Sequence, residues 1–150
     1  MSRFRHILHP TDFSRASGAA FKRAVDIAKA DHSKLLLVHV MSPAALSYVS
    51  PQIYAGIEAS ARADAQKLLD ALAGKARRAR VRCKTLLLDG IPHERIVRAA
   101  RSTRADLVVI GTHGRSGFAK VMLGSVASRV VASATCPVLT VRAKQGAGGR

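Results

Sequence analysis

The sequence predicts an α/β protein: a three-layer α/β/α sandwich on an open five-stranded parallel sheet, doubly wound and Rossmann-like in organisation. Three observations predict it. Short, continuously apolar runs such as Leu35 to Val38, Leu86 to Leu88 and Leu107 to Ile110 have the composition of strands buried on both faces. Between them lie segments whose apolar residues recur at helical spacing. Strand and helix alternate along the chain, and parallel neighbours require crossovers of this kind.

The elements follow in order. Phe4 to Leu8 reads as a strand, and Pro10, Thr11, Asp12 and Ser14 supply turn and cap chemistry before a helix over Ala19 to Ala30. Ala20, Ala24, Ile27 and Ala28 share one face of that helix, and Lys22, Arg23, Asp26 and Lys29 take the other. Leu35 to Val40 is a buried strand, followed by a turn-rich stretch from Ser42 to Pro51. A long helix from Ile57 to Ala79 has Ala61, Ala65, Leu68 and Leu72 as its apolar stripe, with Gly74 weakening its last turns. Val81 to Leu88 is a strand, and Asp89 to Pro92 punctuates the chain. A helix with Ile96, Val97 and Ala100 inward runs to Arg104, and Leu107 to Ile110 is the fourth strand. A glycine-rich loop from Gly111 to Gly124 leads to a helix over Ser125 to Ala134 and a last strand over Pro137 to Val141.

At 150 residues and 48% hydrophobic, the chain has material for one core: a single domain over residues 1–143 with a flexible tail over 144–150. It is strongly basic, with 25 Lys and Arg against 9 Asp and Glu, yet lacks the low hydrophobicity of disordered chains. The apolar runs are far too short to span a membrane, and the first ten residues do not form a secretory core, so a cytoplasmic protein is expected. Cys83 and Cys136 form no C-x-x-C motif, which suits a reducing compartment. The six histidines assemble no metal site. His6 and His9 point to opposite faces of a strand, and His39 and His113 receive no role.

In such folds ligands bind beyond the carboxyl ends of the strands, where strand order reverses. Gly111-Thr112-His113-Gly114, then nine residues, then Gly124-Ser125 places three glycines and a hydroxyl between a strand and a helix. Glycines let backbone N–H groups approach an anion, and the helix start offers unpaired donors and positive dipole. On the residues alone, phosphate binding and a plain tight-turn loop stand level. Asp12 likewise reads either as a ligand contact or as a helix cap, and Val40 as a contact or ordinary core.

This spacing resembles the signature of the ATP-binding branch of the universal stress protein family, G-x-x-G, nine residues, then G followed by Ser or Thr. The likeness covers residues 3 to 142: Ile7 to Ser14 is similar to the family's first strand and loop, and Pro137 to Val141 to its closing strand. The resemblance implies ATP, with accompanying Mg2+, held between the loops after the first and fourth strands. The first loop, Pro10-Thr11-Asp12, would flank it, with Asp12 near the ribose and phosphates and Val40 meeting adenine through its backbone. Gly111, Gly114, Gly124, Ser125 and Val126 would wrap the phosphates, and Arg115 would neutralise charge. The resemblance also implies a homodimer through Val138 to Val141, an apolar edge that dimerisation would cover. One departure is Ala127, where ATP-binding members often place Ser or Thr; Ser128 comes one position late.

Gly114, Gly117 and Lys120 do not make a P-loop, and Gly114-Arg115-Ser116-Gly117-Phe118 lacks the closing glycine of a nucleophile elbow. No catalytic residue is assigned, so the expected role is a nucleotide-responsive stress regulator with at most slow ATP hydrolysis. Two alternatives stand beside it. One is a scaffold of the same fold that binds no nucleotide. The other is a nucleic-acid or polyanion binder using Lys75, Arg77, Arg78, Arg80, Arg82 and Lys84, although 4% aromatic residues offer few stacking platforms.

Overall fold

The computed structural model describes residues 3–42, 49–112 and 123–143. Strands β1 (His6–Pro10), β2 (Lys34–Met41), β3 (Arg82–Asp89), β4 (Leu107–Gly111) and β5 (Val138–Val141) alternate with helices α1 (Arg15–Asp31), α2 (Pro51–Arg78), α3 (Pro92–Ser102) and α4 (Ser125–Ser133). The strands form one parallel sheet in the order β3-β2-β1-β4-β5. The order reverses between β1 and β4, which fixes the switch point there. On one face α1 and α2 pack over a core that includes Ile7, Leu35, Leu37 and Val109. On the other, α3 and α4 pack over Leu8, Val38, Val108 and Ile110.

Polar side chains set several boundaries that apolar patterning misplaces. The Asp31 carboxylate takes the Phe4 N–H at 3.0 Å, and the Asp106 carboxylate takes those of Arg5 and His6 at 2.9 and 3.1 Å. These bonds take up the N–H groups of Phe4 and Arg5, the Arg5 carbonyl accepts the Lys34 N–H at 2.8 Å, and the first strand runs from His6 to Pro10 rather than starting at Phe4. The first helix begins at Arg15 rather than Ala19, because Ser14 is its N-cap and accepts the Ser17 N–H. The second begins at Pro51 rather than Ile57: Ser50 caps it by accepting the Ile53 N–H, and Pro51 fills a first-turn position that lacks a partner for an N–H.

The buried stripe of α2 is Ala65, Leu69, Ala73 and Ala76, whereas Leu68 is 48% exposed. Of the expected stripe, Ala65 is buried and Leu72 packs partly against the core, whereas Ala61 and Leu68 face outward. Leu68 and Leu69 both satisfy helical periodicity, and contact with Leu35 and Cys83 of the sheet selects Leu69. Gly74 leaves the helix unbroken through Arg78. Helices α1, α2 and α3 all exit on left-handed residues that are not glycine, His32, Arg80 and Arg104, with φ of 57°, 66° and 55°.

His9 is fully buried between β1 and α1, beside the Phe21 ring. Its Nδ1–H donates to the Val109 carbonyl at 2.8 Å, while Nε2 has no partner. Burial lowers its pKa from 6.5 to about 4, against smaller opposing effects of the Val109 bond and the Asp12 charge. The folded state therefore keeps His9 neutral where the unfolded chain is already protonated. The stability this confers is complete above pH 6.5 and declines as pH falls toward 4.

Two outcomes follow. Leu69→Ala should cost about 2–5 kcal/mol in denaturant unfolding and Leu68→Ala about 0.5 or less; equal costs would contradict the observed stripe. Between pH 6.5 and 4.5 the parent should lose about 2 kcal/mol more than a His9→Gln variant. Parallel stability curves would show that His9 titrates normally.

Candidate functional site

A cleft of about 460 Å³ opens at the carboxyl ends of β1, β2 and β4, at the switch point. That volume lies within the usual range for small-molecule sites. The loop after β1 forms one wall and the start of α4 forms the other.

The first loop is held by its own hydrogen bonds. Thr11 N–H donates to the Val38 carbonyl at 2.8 Å, and the Thr11 hydroxyl accepts the Phe13 N–H at 3.0 Å. The Asp12 carboxylate accepts both the Ser14 N–H at 2.9 Å and the Ser17 hydroxyl at 2.7 Å on the same oxygen, Oδ1. Partial burial works against ionisation of Asp12, but the bonds from Ser14 and Ser17 outweigh it and hold the carboxyl below its usual range. Phe13 sits in the left-handed region, φ 63°, with its ring 4.6 Å from that of His39. His39 Nδ1–H in turn donates to the Thr11 carbonyl at 2.7 Å. A bulky residue kept in strained backbone is over-determined by its surroundings, so this wall is rigid before any ligand arrives.

The opposite wall is a helix start that, among the described residues, has no side-chain cap. Gly124 is the N-cap of α4, and the first turn carries no acidic residue. The Gly124 N–H is turned back to the Thr112 carbonyl, and Ser125, Val126 and Ala127 of the first turn line the cleft. First-turn amides together with the helix dipole favour an anion at this end.

Of the residues singled out from sequence, Pro10, Thr11, Asp12, Val40, Gly111, Gly124, Ser125 and Val126 line the one cleft. Gly114 and Arg115 lie outside the described residues, as does the tail from Lys144. Gly111 has a packing duty as well. A Cβ there would stand 2.8 Å from the Ala16 carbonyl carbon and 2.9 Å from its oxygen, so the first turn of α1 rests directly on the end of β4. Ala127 lines the cleft and is 2% exposed, whereas Ser128 is exposed and its hydroxyl bonds the Leu123 carbonyl. Ser128 therefore does not take the place of a hydroxyl at position 127.

The sequence reading missed Ser17 and Ile96 as lining residues and assigned His39 no role. Ser17 carried a signal, a hydroxyl in the first turn of a helix five residues beyond Asp12. Pro92 closes the loop after the third strand, at the end of the sheet where such folds bind ligands, whereas Ile96 carried no signal, since only the folding of α3 over β2 brings it to the apolar side of the cleft. Among the described residues the cavity combines a helix N-terminus at one end, a single ionised carboxylate on one wall, and apolar side chains of Val40, Ile96 and Ile110.

Comparison with known proteins agrees with this geometry. The sequence profile of the universal stress protein family matches residues 3–142. A universal stress protein of Methanocaldococcus jannaschii is 34% identical over 146 residues, covering 93% of this chain and 82% of that one. The solved universal stress protein UspA of Lactobacillus plantarum superposes with a TM-score of 0.84 at 28% identity, over 95% of this chain and all of that one. A universal stress protein solved in complex with cAMP superposes with a TM-score of 0.73 at 26% identity, again over 95% of this chain and all of that one. With a profile spanning nearly its whole length and a matching five-stranded parallel sheet, this chain belongs to the universal stress protein family.

Proposed function

We propose that the switch-point cleft binds ATP, with accompanying Mg2+, and that the protein acts as a nucleotide-responsive stress regulator in the cytoplasm. The observation that carries this reading is the uncapped start of α4 at Gly124 and Ser125, facing Asp12 across a cleft of about 460 Å³. The amides of Ser125 and Val126 would take phosphate oxygens, joined by Gly114 and Arg115 of the intervening loop. Asp12 would accept a ribose hydroxyl, and the wall at Val40 would meet the base. The relative solved with cAMP supports an adenine nucleotide as the ligand class.

The residues fit a magnesium ion carried by the nucleotide. Asp12 is the one carboxylate among the described lining residues, and Mg2+ in such sites is held chiefly by phosphates, waters and one or two carboxylates. Hydrolysis would be slow. Asp12 is held ionised by hydrogen bonds, which makes it a weak proton acceptor, and His39 commits Nδ1 to the Thr11 carbonyl. A homodimer through β5 belongs to the same reading: β5 is a sheet edge, and Leu139 on it is 36% exposed. Among the described residues no helix is long and apolar enough to cross a membrane.

Calorimetric titration with Mg-ATP tests the proposal. About one ATP should bind per chain, with only weak dependence on salt. Ser125→Glu should weaken binding roughly tenfold or more by placing a carboxylate at the phosphate end. The same change should leave stability unchanged or raise it by about 0.5 kcal/mol, because acidic residues suit a helix N-terminus. No binding by the parent would favour the nucleotide-free scaffold. Unaltered binding by Ser125→Glu would place the phosphates elsewhere.

A further inference from the structure

A second, larger cavity of about 820 Å³ lies at the opposite end of the sheet. It is formed at the amino ends of β1, β2 and β3, between the α2–β3 turn and the end of α3. Strand register explains its make-up. His6, Lys34 and Arg82 stand side by side across three strands, and Leu8, Leu36 and Lys84 form the next row on the same face. The deeper row thus gives an aliphatic floor at the half-buried Leu36, beside the fully buried Leu8, while the cations stand at the rim.

The rim carries Lys34, Arg77, Arg80, Arg82 and Lys84, all exposed. Among the described residues no carboxylate lines the cavity, and the ion pairs found there involve only Arg62. Arg77 and Arg82 donate to the carbonyls of Cys83 and His32, at 2.8 and 3.2 Å, which fixes their position without cancelling their charge. Burial pushes the Cys83 thiol up to about 11, so it contributes no negative charge either. Five like charges around one cavity repel one another until an anion enters.

We propose that this cavity is a second binding site, for a free single-chain amphiphile of the fatty-acid type, with its acidic head among the rim cations and its tail along Leu36. The volume suits a molecule of that size. No Phe, Tyr or Trp lines it, so a nucleobase would find no stacking platform. A nucleic-acid backbone would use the rim and leave the aliphatic floor in water. The inference stands apart from the nucleotide reading, since the two cavities occupy opposite ends of the strands.

Calorimetric titration of the purified, delipidated protein with dodecanoate tests it. Saturable binding of about one dodecanoate per chain is expected, weakened roughly tenfold or more in Lys34→Glu/Lys84→Glu. Arg80→Gly should weaken binding too, and it cannot fail through strain, because glycine accepts the left-handed backbone that Arg80 now holds. Mg-ATP titrations of both variants should match the parent. The proposal is overturned if dodecanoate does not saturate, if dodecanol or inorganic phosphate binds equally well, or if the variants bind dodecanoate like the parent. Salt-sensitive retention on duplex DNA that these variants lose, without dodecanoate binding, would make the patch a polyanion surface and also overturn it.

Discussion

The contact between the first turn of α1 and the carboxyl end of β4 governs the arrangement of the site. Gly111 lets the Ala16 backbone come within reach of a Cβ that is not there. This approach places the loop from Thr11 to Ser14 beside the strand whose continuation leads to α4. Without it α1 would be displaced outward, and Asp12 would no longer face Ser125 across the switch point. The glycine that a sequence reader assigns to phosphate contact is thus also a packing requirement, and the two duties are compatible because both ask for missing side-chain volume.

Two ends of one sheet carry different chemistry for reasons rooted in strand direction. At the carboxyl ends, α4 begins without a side-chain cap among the described residues, and a self-bonded loop presents one ionised carboxylate. At the amino ends, helices terminate, and basic residues suit the negative end of a helix dipole; Lys75, Arg77 and Arg78 occupy the last turn of α2. Much of the excess charge of +16 is thereby collected away from the switch-point cleft. A chain with so much positive charge gains selectivity by separating its rim of cations from the end that would receive nucleotide.

The layered fold was legible because continuous apolar runs, helical periodicity and alternation all pointed to the same architecture. The cleft was legible in its glycine spacing and first loop. Boundaries were less so, and the causes are specific residues. Ser50 and Pro51 look like turn chemistry in one dimension and are a cap with a first-turn proline. Asp31 and Asp106 take up the N–H groups of Phe4 and Arg5 from elements distant in sequence, which no local pattern reveals. The helix exits at His32, Arg80 and Arg104 carry no glycine signal. The choice of Leu69 over Leu68, and the arrival of Ile96 at the cleft, depend on tertiary packing alone.

The nucleotide site proposed at the carboxyl end of the sheet is prepared in advance by the first loop and the start of α4. Amide hydrogen exchange of the full chain with and without Mg-ATP tests it most directly. Slowed exchange at Thr11 to Ser14 and at Ser125 to Ala127, with none across Arg77 to Lys84, is the predicted result. Protection confined to the α2–β3 turn, or its absence at the start of α4 under saturating nucleotide, would contradict the account.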